Sequence, residues 1–195
     1  MDIPQANAFV AVLGDGPHGR SLLKVLQPTL KPTMAVLDDK YSNYPVSRWR
    51  EWAAVSDHSG YVIGAAFPAV RRQIWEQVAD LPAWLYGIVV FPGAQVDPDR
   101  ISIGEHTHIL YNAVISHGCR IGSFVTVCSN ATLCGEVTVE DDVFIGAGAV
   151  VVHGGITIGR GATVGAGAVV IDDVPAGATV VGNPARELAR SWAKR

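Results

Sequence analysis

Two sets of residues have the types and spacing to do chemistry. The first is Gly14-x-Gly16-x-x-Gly19, with His18 inside it and with Asp38, followed by Asp39, standing 22 residues after Gly16. Glycines in such a loop let the backbone approach a phosphate, and the amide groups of a following helix N-terminus favour its charge. An acidic residue closing the next strand accepts hydrogen bonds from a ribose or base. The alternative is a purely structural turn, in which His18 caps the helix instead of touching a ligand. The second set is His117, Gly135 and His153, spaced 18 residues apart. A histidine is the commonest general base near neutral pH. A glycine amide beside it is an oxyanion donor.

The spacing of 18 has meaning because of the elements that carry it. Aliphatic residues stand every six positions at Ile103, Ile109, Ile115, Ile121, Val127, Leu133, Val139, Ile145 and Val151. Two residues before each of the later ones stands Thr107, Ala113, Cys119, Val125, Ala131, Val137, Val143 or Ala149. A period of six belongs to a hexapeptide β-helix, whose short parallel strands wind into a triangular prism. Three hexads make one coil, so residues 18 apart lie over one another at about the 4.8 Å inter-strand spacing. His117, Gly135 and His153 are therefore expected on one edge. The step from Val151 to Ile158 is seven, which places one extra residue around His153-Gly154-Gly155.

The first half has a different rhythm. Phe9–Leu13, Met34–Leu37, Tyr61–Gly64 and Ile88–Phe91 read as strands, with helices after the glycine loop and over Pro68–Val78. Strands alternating with helices imply a small Rossmann-like parallel sheet in an α/β domain over 1–91. The segment 92–100 reads as a linker and 101–195 as the β-helix, closed by a short helix from Ala185 that caps the prism. Four strands are about half of a dinucleotide fold, so a mononucleotide or nucleotide-sugar fits better than NAD.

Composition bounds the rest. The chain is 49% hydrophobic and 17% charged with net charge -3, which argues against a nucleic-acid binder or a basic membrane-surface protein. No apolar run approaches the roughly 20 residues of a membrane span, and no basic-then-apolar leader opens the chain. Cys119, Cys128 and Cys134 include no CxxC, so neither a disulfide framework nor a zinc site is expected, and a reducing cytoplasmic location is the default. Cys119 falls on an inward position of the repeat. His106 and His108 are expected as solvated surface residues of the first coil.

The loop Gly14-x-Gly16-x-His18-Gly19, the strand end Leu37-Asp38-Asp39, the hexapeptide repeat and the terminal Gly182-Asn183-Pro184-Ala185 together resemble the sugar acetyltransferases of the sialic acid O-acetyltransferase type. That group includes the acetyl-CoA-dependent N-acetyltransferases of UDP-4-amino-sugars. The resemblance implies a left-handed β-helix, a homotrimer, and active sites in clefts between neighbouring prisms. It implies a UDP-sugar on the N-terminal domain, with Gly14, Gly16, His18 and Gly19 at the pyrophosphate and sugar and Asp38 and Asp39 at the uridine. It carries His117 over as general base and Gly135 as the amide that meets the acetyl carbonyl. Acetyl-CoA would run along the prism past Gly146, Ala147 and Ala166, with no metal involved.

Three positions depart from that pattern. Family members usually carry an acidic residue directly after the catalytic histidine, and here Gly118 stands there. Leu110 and Tyr111 replace a usual Asn-Thr pair. Gly64-Ala65-Ala66-Phe67 replaces a more polar stretch after the third strand. The leading expectation is N-acetylation of a nucleotide-linked amino sugar, such as a UDP-4-amino-4,6-dideoxy sugar. Alternatives are a sugar O-acetyltransferase, a catalytically silent nucleotide-sugar-binding trimer, and, least favoured, a zinc β-helix enzyme.

Overall fold

The computed structural model describes residues 9–13, 17–26, 31–35, 60–80, 84–85, 87–97, 99–152 and 154–188. The chain divides into two compact units, Met1–Gly87 and Ile88–Arg195.

The first unit is a four-stranded parallel sheet. Its strands are β1 (Phe9–Leu13), β2 (Lys31–Ala35), β3 (Gly60–Ile63) and β4 (Trp84–Leu85), in the order β2-β1-β3-β4. Helix α1 (Pro17–Leu26) follows β1, and α2 (Pro68–Val78) follows β3. Both helices open with proline, whose missing N–H is an orphan at that position in any case. Gly19 and Leu22 are the buried residues of α1.

The second strand lies three residues earlier than the apolar run Met34–Leu37 suggests, and it contains Pro32 opposite Val10. A proline has no ladder donor, but β2 is an edge strand, where that donor is not needed on the outer side. The expected apolar face of α2 is also different. Val70 is 44% exposed, whereas Arg71 is fully buried. The Arg71 guanidinium donates through Nη1 to the carbonyls of Ala65 at 2.7 Å and Ala66 at 3.3 Å. A cation is tolerated inside because it is hydrogen-bonded to the loop it holds.

The second unit is a left-handed parallel β-helix of three sheets. It begins earlier than the repeat itself. Strand β5 (Ile88–Val90) pairs with Thr107–Ile109, and β6 (Gln95–Val96) pairs with Val114–Ile115. The strand expected to close the first sheet, and the segment read as a linker, thus form a coil of the prism. That coil escaped the six-residue period because its register is offset: Ile88 lies opposite Thr107, 19 residues on.

From there the register follows the period. Arg120 faces Thr138, Thr126 faces Phe144 and Thr132 faces Val150, each 18 apart. The inserted residue appears as predicted, because Thr138 faces Thr157 and Val150 faces Val169, both 19 apart. The inward positions form one continuous core, with Ile109, Val127, Leu133 and Ile145 completely buried. Burying such a side chain contributes about 1.5–3 kcal/mol. Thr107, the polar member of the inward set, is satisfied: its hydroxyl donates to the Gly122 carbonyl at 2.8 Å and accepts from the Val125 amide at 3.1 Å.

The end of the prism also differs from expectation. Ala185 does not start a helix. Arg186–Glu187 forms a short strand antiparallel to Thr179–Val181, covering what would be an open edge, and residues 189–195 lie outside the described part.

Candidate functional site

Each turn of the prism has a corner after the strand of the five-stranded sheet, and His117 occupies one of them. It follows Val114–Ile115, whose second residue is buried and whose ladder to Thr132–Leu133 fixes the height of the next coil. His117 is exposed, with its carbonyl accepting from the Glu136 amide at 2.9 Å. Its ring lies against Gly135. A Cβ built on Gly135 would stand 2.6 Å from Cε1 and 2.7 Å from Nε2 of the imidazole. With its ring in this position only glycine fits beneath it, so the expected stacking of His117 over Gly135 holds.

His153, the third member of the predicted edge, lies outside the described residues. Gly154 comes close to Gly135: a Cβ added to it would be 2.8 Å from the Gly135 carbonyl oxygen. The ladder before this corner keeps the 18-residue step, Leu133 to Val151, and the 19-residue step begins after it, at Thr138 and Thr157. The bulge thus sets a second glycine, Gly154, beside the edge.

Gly146, Ala147 and Ala166 lie together at a different corner, the one that precedes the strands of the five-stranded sheet. A Cβ on Gly146 would meet the Ala166 amide nitrogen at 2.5 Å, and the Gly167 amide donates to the Ala147 carbonyl at 2.9 Å. Ala147 and Ala166 are exposed and present little side chain. The sheet face between the two corners carries the half-buried Val114, Thr132, Val150 and Val169 outward. Such a small, apolar strip with backbone amides at its border suits an extended ligand with few charges along its middle.

Leu110 and Tyr111 sit at the corner before Val114–Ile115, not at the histidine corner. The Tyr111 ring packs edge-on against Phe91, with centroids 4.9 Å apart. His106 and His108, expected at the surface, are 4% and 1% exposed. The coil containing β5 lies below them, so theirs is not the first coil. His108 stands in register between Val89 and Thr126, and the His106 ring stacks on Phe124 at 4.5 Å. Among the described residues no group of His, Cys, Asp or Glu is arranged to hold a metal.

Two of the thiols, Cys119 and Cys128, are poor nucleophiles. Burial pushes the Cys128 thiol up to about 11 and raises that of Cys119, whose Sγ donates to the Cys134 carbonyl at 3.2 Å. At neutral pH both stay protonated.

In the first unit the strand order reverses between β1 and β3, and in parallel α/β sheets ligands bind at the carboxyl ends of the strands flanking that switch. His18 is on the first turn of α1, after β1, and Arg71 holds the loop after β3. Burial, and next the charge of Arg71, lower the His18 imidazole to about 4, so it is neutral and offers one N–H donor. Gly19 is buried within α1. Gly14, Gly16, Asp38 and Asp39 lie outside the described residues. Arg71 left no sign in the apolar pattern of its helix. Glu136 was detectable, because it lies 18 residues after Gly118 on the histidine edge.

Known proteins agree with this geometry. The family model for the hexapeptide repeat of succinyl-transferase matches residues 136–171. No curated protein sequence matches the chain. Among solved structures, WeeI from Acinetobacter baumannii AYE is 30% identical, over 93% of this chain and 100% of its own, with a TM-score of 0.79. The acetyltransferase domain of PglB from Neisseria gonorrhoeae FA1090 is 28% identical over 93% and 100%, with a TM-score of 0.76. That domain has also been solved with acetyl coenzyme A. PerB from Caulobacter crescentus, in complex with CoA and GDP-perosamine, shares the fold at 24% identity over 93% and 98%, with a TM-score of 0.76. With a prism in register over its whole repeat and a relative at 30% identity along its full length, the chain belongs to the hexapeptide-repeat acetyltransferase family of acyltransferases.

Proposed function

We propose that the protein is an acetyl-CoA-dependent N-acetyltransferase of a nucleotide-linked amino sugar, with His117 as general base. The observation that carries this reading is the His117 imidazole lying directly on the Gly135 backbone, where a Cβ would displace the ring. In the reaction the amine nitrogen attacks the thioester carbonyl while His117 takes a proton from it. The Gly135 amide steadies the oxyanion. The carbon–sulfur bond then breaks, the proton passes to the departing sulfur, and amide and coenzyme A are released. No enzyme thioester forms, in keeping with two cysteines held as thiols.

Acetyl-CoA runs along the strip between the two corners, past Gly146, Ala147 and Ala166, and this placement is supported by the small residues there and by the acetyl coenzyme A complex of the PglB domain. The first unit takes the nucleotide, with Gly14, Gly16, His18 and Gly19 at the phosphates and Asp38 and Asp39 at the nucleoside. A UDP-4-amino-4,6-dideoxy sugar is the substrate proposed, within the sialic acid O-acetyltransferase-type group. The working form is a homotrimer in the cytoplasm. Among the described residues no helix is long and apolar enough to cross a membrane.

The test is His117→Ala assayed by release of free thiol from acetyl-CoA with a panel of nucleotide amino sugars. General-base help is typically worth about 10²–10⁴-fold, so kcat should fall by that range with acetyl-CoA binding unchanged. Full activity in the variant rejects His117 as the base. Survival of the acetyl group under mild base separates the amide product from an ester.

A further inference from the structure

A base works best when a third group holds it in place. Within one coil of His117, the described part of its edge carries three carboxylates: Asp97, Asp99 and Glu136. The first two are engaged elsewhere. Asp97 accepts from the Asp99 amide at 2.8 Å, and Asp99 pairs with the Arg100 guanidinium at 3.5 Å. Glu136 is placed differently. Its amide is bonded to the His117 carbonyl at 2.9 Å, and it directly follows the glycine on which the imidazole lies.

The glycines around it make space for its side chain. A Cβ on Gly118 would stand 3.1 Å from Glu136 Cγ. A Cβ on Gly154 would stand 2.9 Å from Glu136 Cβ and 3.3 Å from Oε2. The Glu136 methylenes thus cover the place a side chain after His117 would enter. The backbone points the same way. The corner residues of this edge have φ of +67° at Gly118, +63° at Glu136 and +81° at Gly155. Glycine adopts this conformation freely, and glutamate is not among the residues that visit it readily. Other prism corners put non-glycine residues such as Arg100, Asn112, Asn130 and Asp142 in this conformation too, and on this edge Glu136 is flanked by coils that use glycine.

We propose that Glu136 is the positioning carboxylate of His117, reaching across from the next coil to do what a residue after the histidine would otherwise do. His117 and Glu136 are both exposed, and Glu136 Oε2 lies on the Gly154 side of the edge, so the carboxylate must turn back towards the imidazole to engage it. The inference rests on the acetyltransferase reading of His117.

The test uses the full-length protein and the nucleotide amino sugar it turns over fastest. Glu136→Gln should lower kcat by part of the roughly 10²–10⁴-fold that general-base help is worth, with KM for acetyl-CoA unchanged. Glu136→Gly should lower kcat equally while its Tm stays level or rises, because glycine suits φ +63°. Loss of rate without loss of stability is what a merely structural glutamate would not produce. Wild-type kcat in Glu136→Gln overturns the proposal and leaves His117 untouched. Undiminished activity in His117→Ala, or no turnover by the wild type with any amino sugar, overturns the underlying reading and this proposal with it.

Discussion

The prism and the N-terminal sheet are both parallel, yet they place their functional groups by different means. In the prism every coil repeats the one below, so a residue's position follows from its place in the period. Thr126 lies between His108 and Phe144, and Leu133 between Ile115 and Val151, by register alone. In the first unit no such lattice exists. The loop after β3 is held by one buried guanidinium, from a helix residue that the apolar pattern assigns to no face. A repeat distributes positional information over many equivalent contacts, and a small α/β sheet concentrates it in a few.

The largest effect is expected where that lattice is emptied. Leu133→Ala removes a completely buried side chain from the middle of the core. It should destabilise the prism by about 2–5 kcal/mol in denaturant unfolding, since stacked coils cannot collapse inward to fill the gap. A cost below 1 kcal/mol would mean that the coils relax, and the contrast with the first unit would fail. Gly135→Ala comes next. Its new Cβ would stand 2.6 Å from the His117 ring, so the ring must move while the core stays intact. Misplacement of that kind should lower kcat about 100-fold with an unchanged unfolding midpoint.

Arg71→Met probes the other unit. It leaves the Ala65 and Ala66 carbonyls without their donor, at a cost of about 1–3 kcal/mol. Hydrogen exchange should speed up in 60–80 while prism amides keep their protection. Equal acceleration in both units would contradict the separation. The smallest effect concerns pH. The folded His18 imidazole is lowered to about 4, below the ordinary value near 6.5 expected unfolded. As pH falls through that window the unfolded chain takes up a proton the folded one refuses, so the first unit loses stability on acidification and regains it above pH 6.5. His18→Gln should flatten this dependence in a pH series of exchange rates, and an unaltered slope would remove His18 as the cause.

How much could be read beforehand follows the same division. The inward positions from Ile109 to Val170, the inserted residue after Val151 and the stacking of His117 on Gly135 were all legible, because a fixed period converts sequence distance into height. The coil built from β5 and β6 was not, since its 19-residue offset breaks the period. Nor was the burial of His106 and His108, which follows from that coil. In the first unit, α2 was placed correctly over Pro68–Val78 by its opening proline, but its buried residue was not.

By itself, then, the sequence determined the prism, its register and the histidine-on-glycine edge. These arise from a six-residue repeat in which each inward residue must find the core and each corner must turn. Only the tertiary structure decided that the His106 ring stacks on Phe124 and that Arg71 ties the loop after β3. Those depend on side-chain orientation and on bonds that no period dictates.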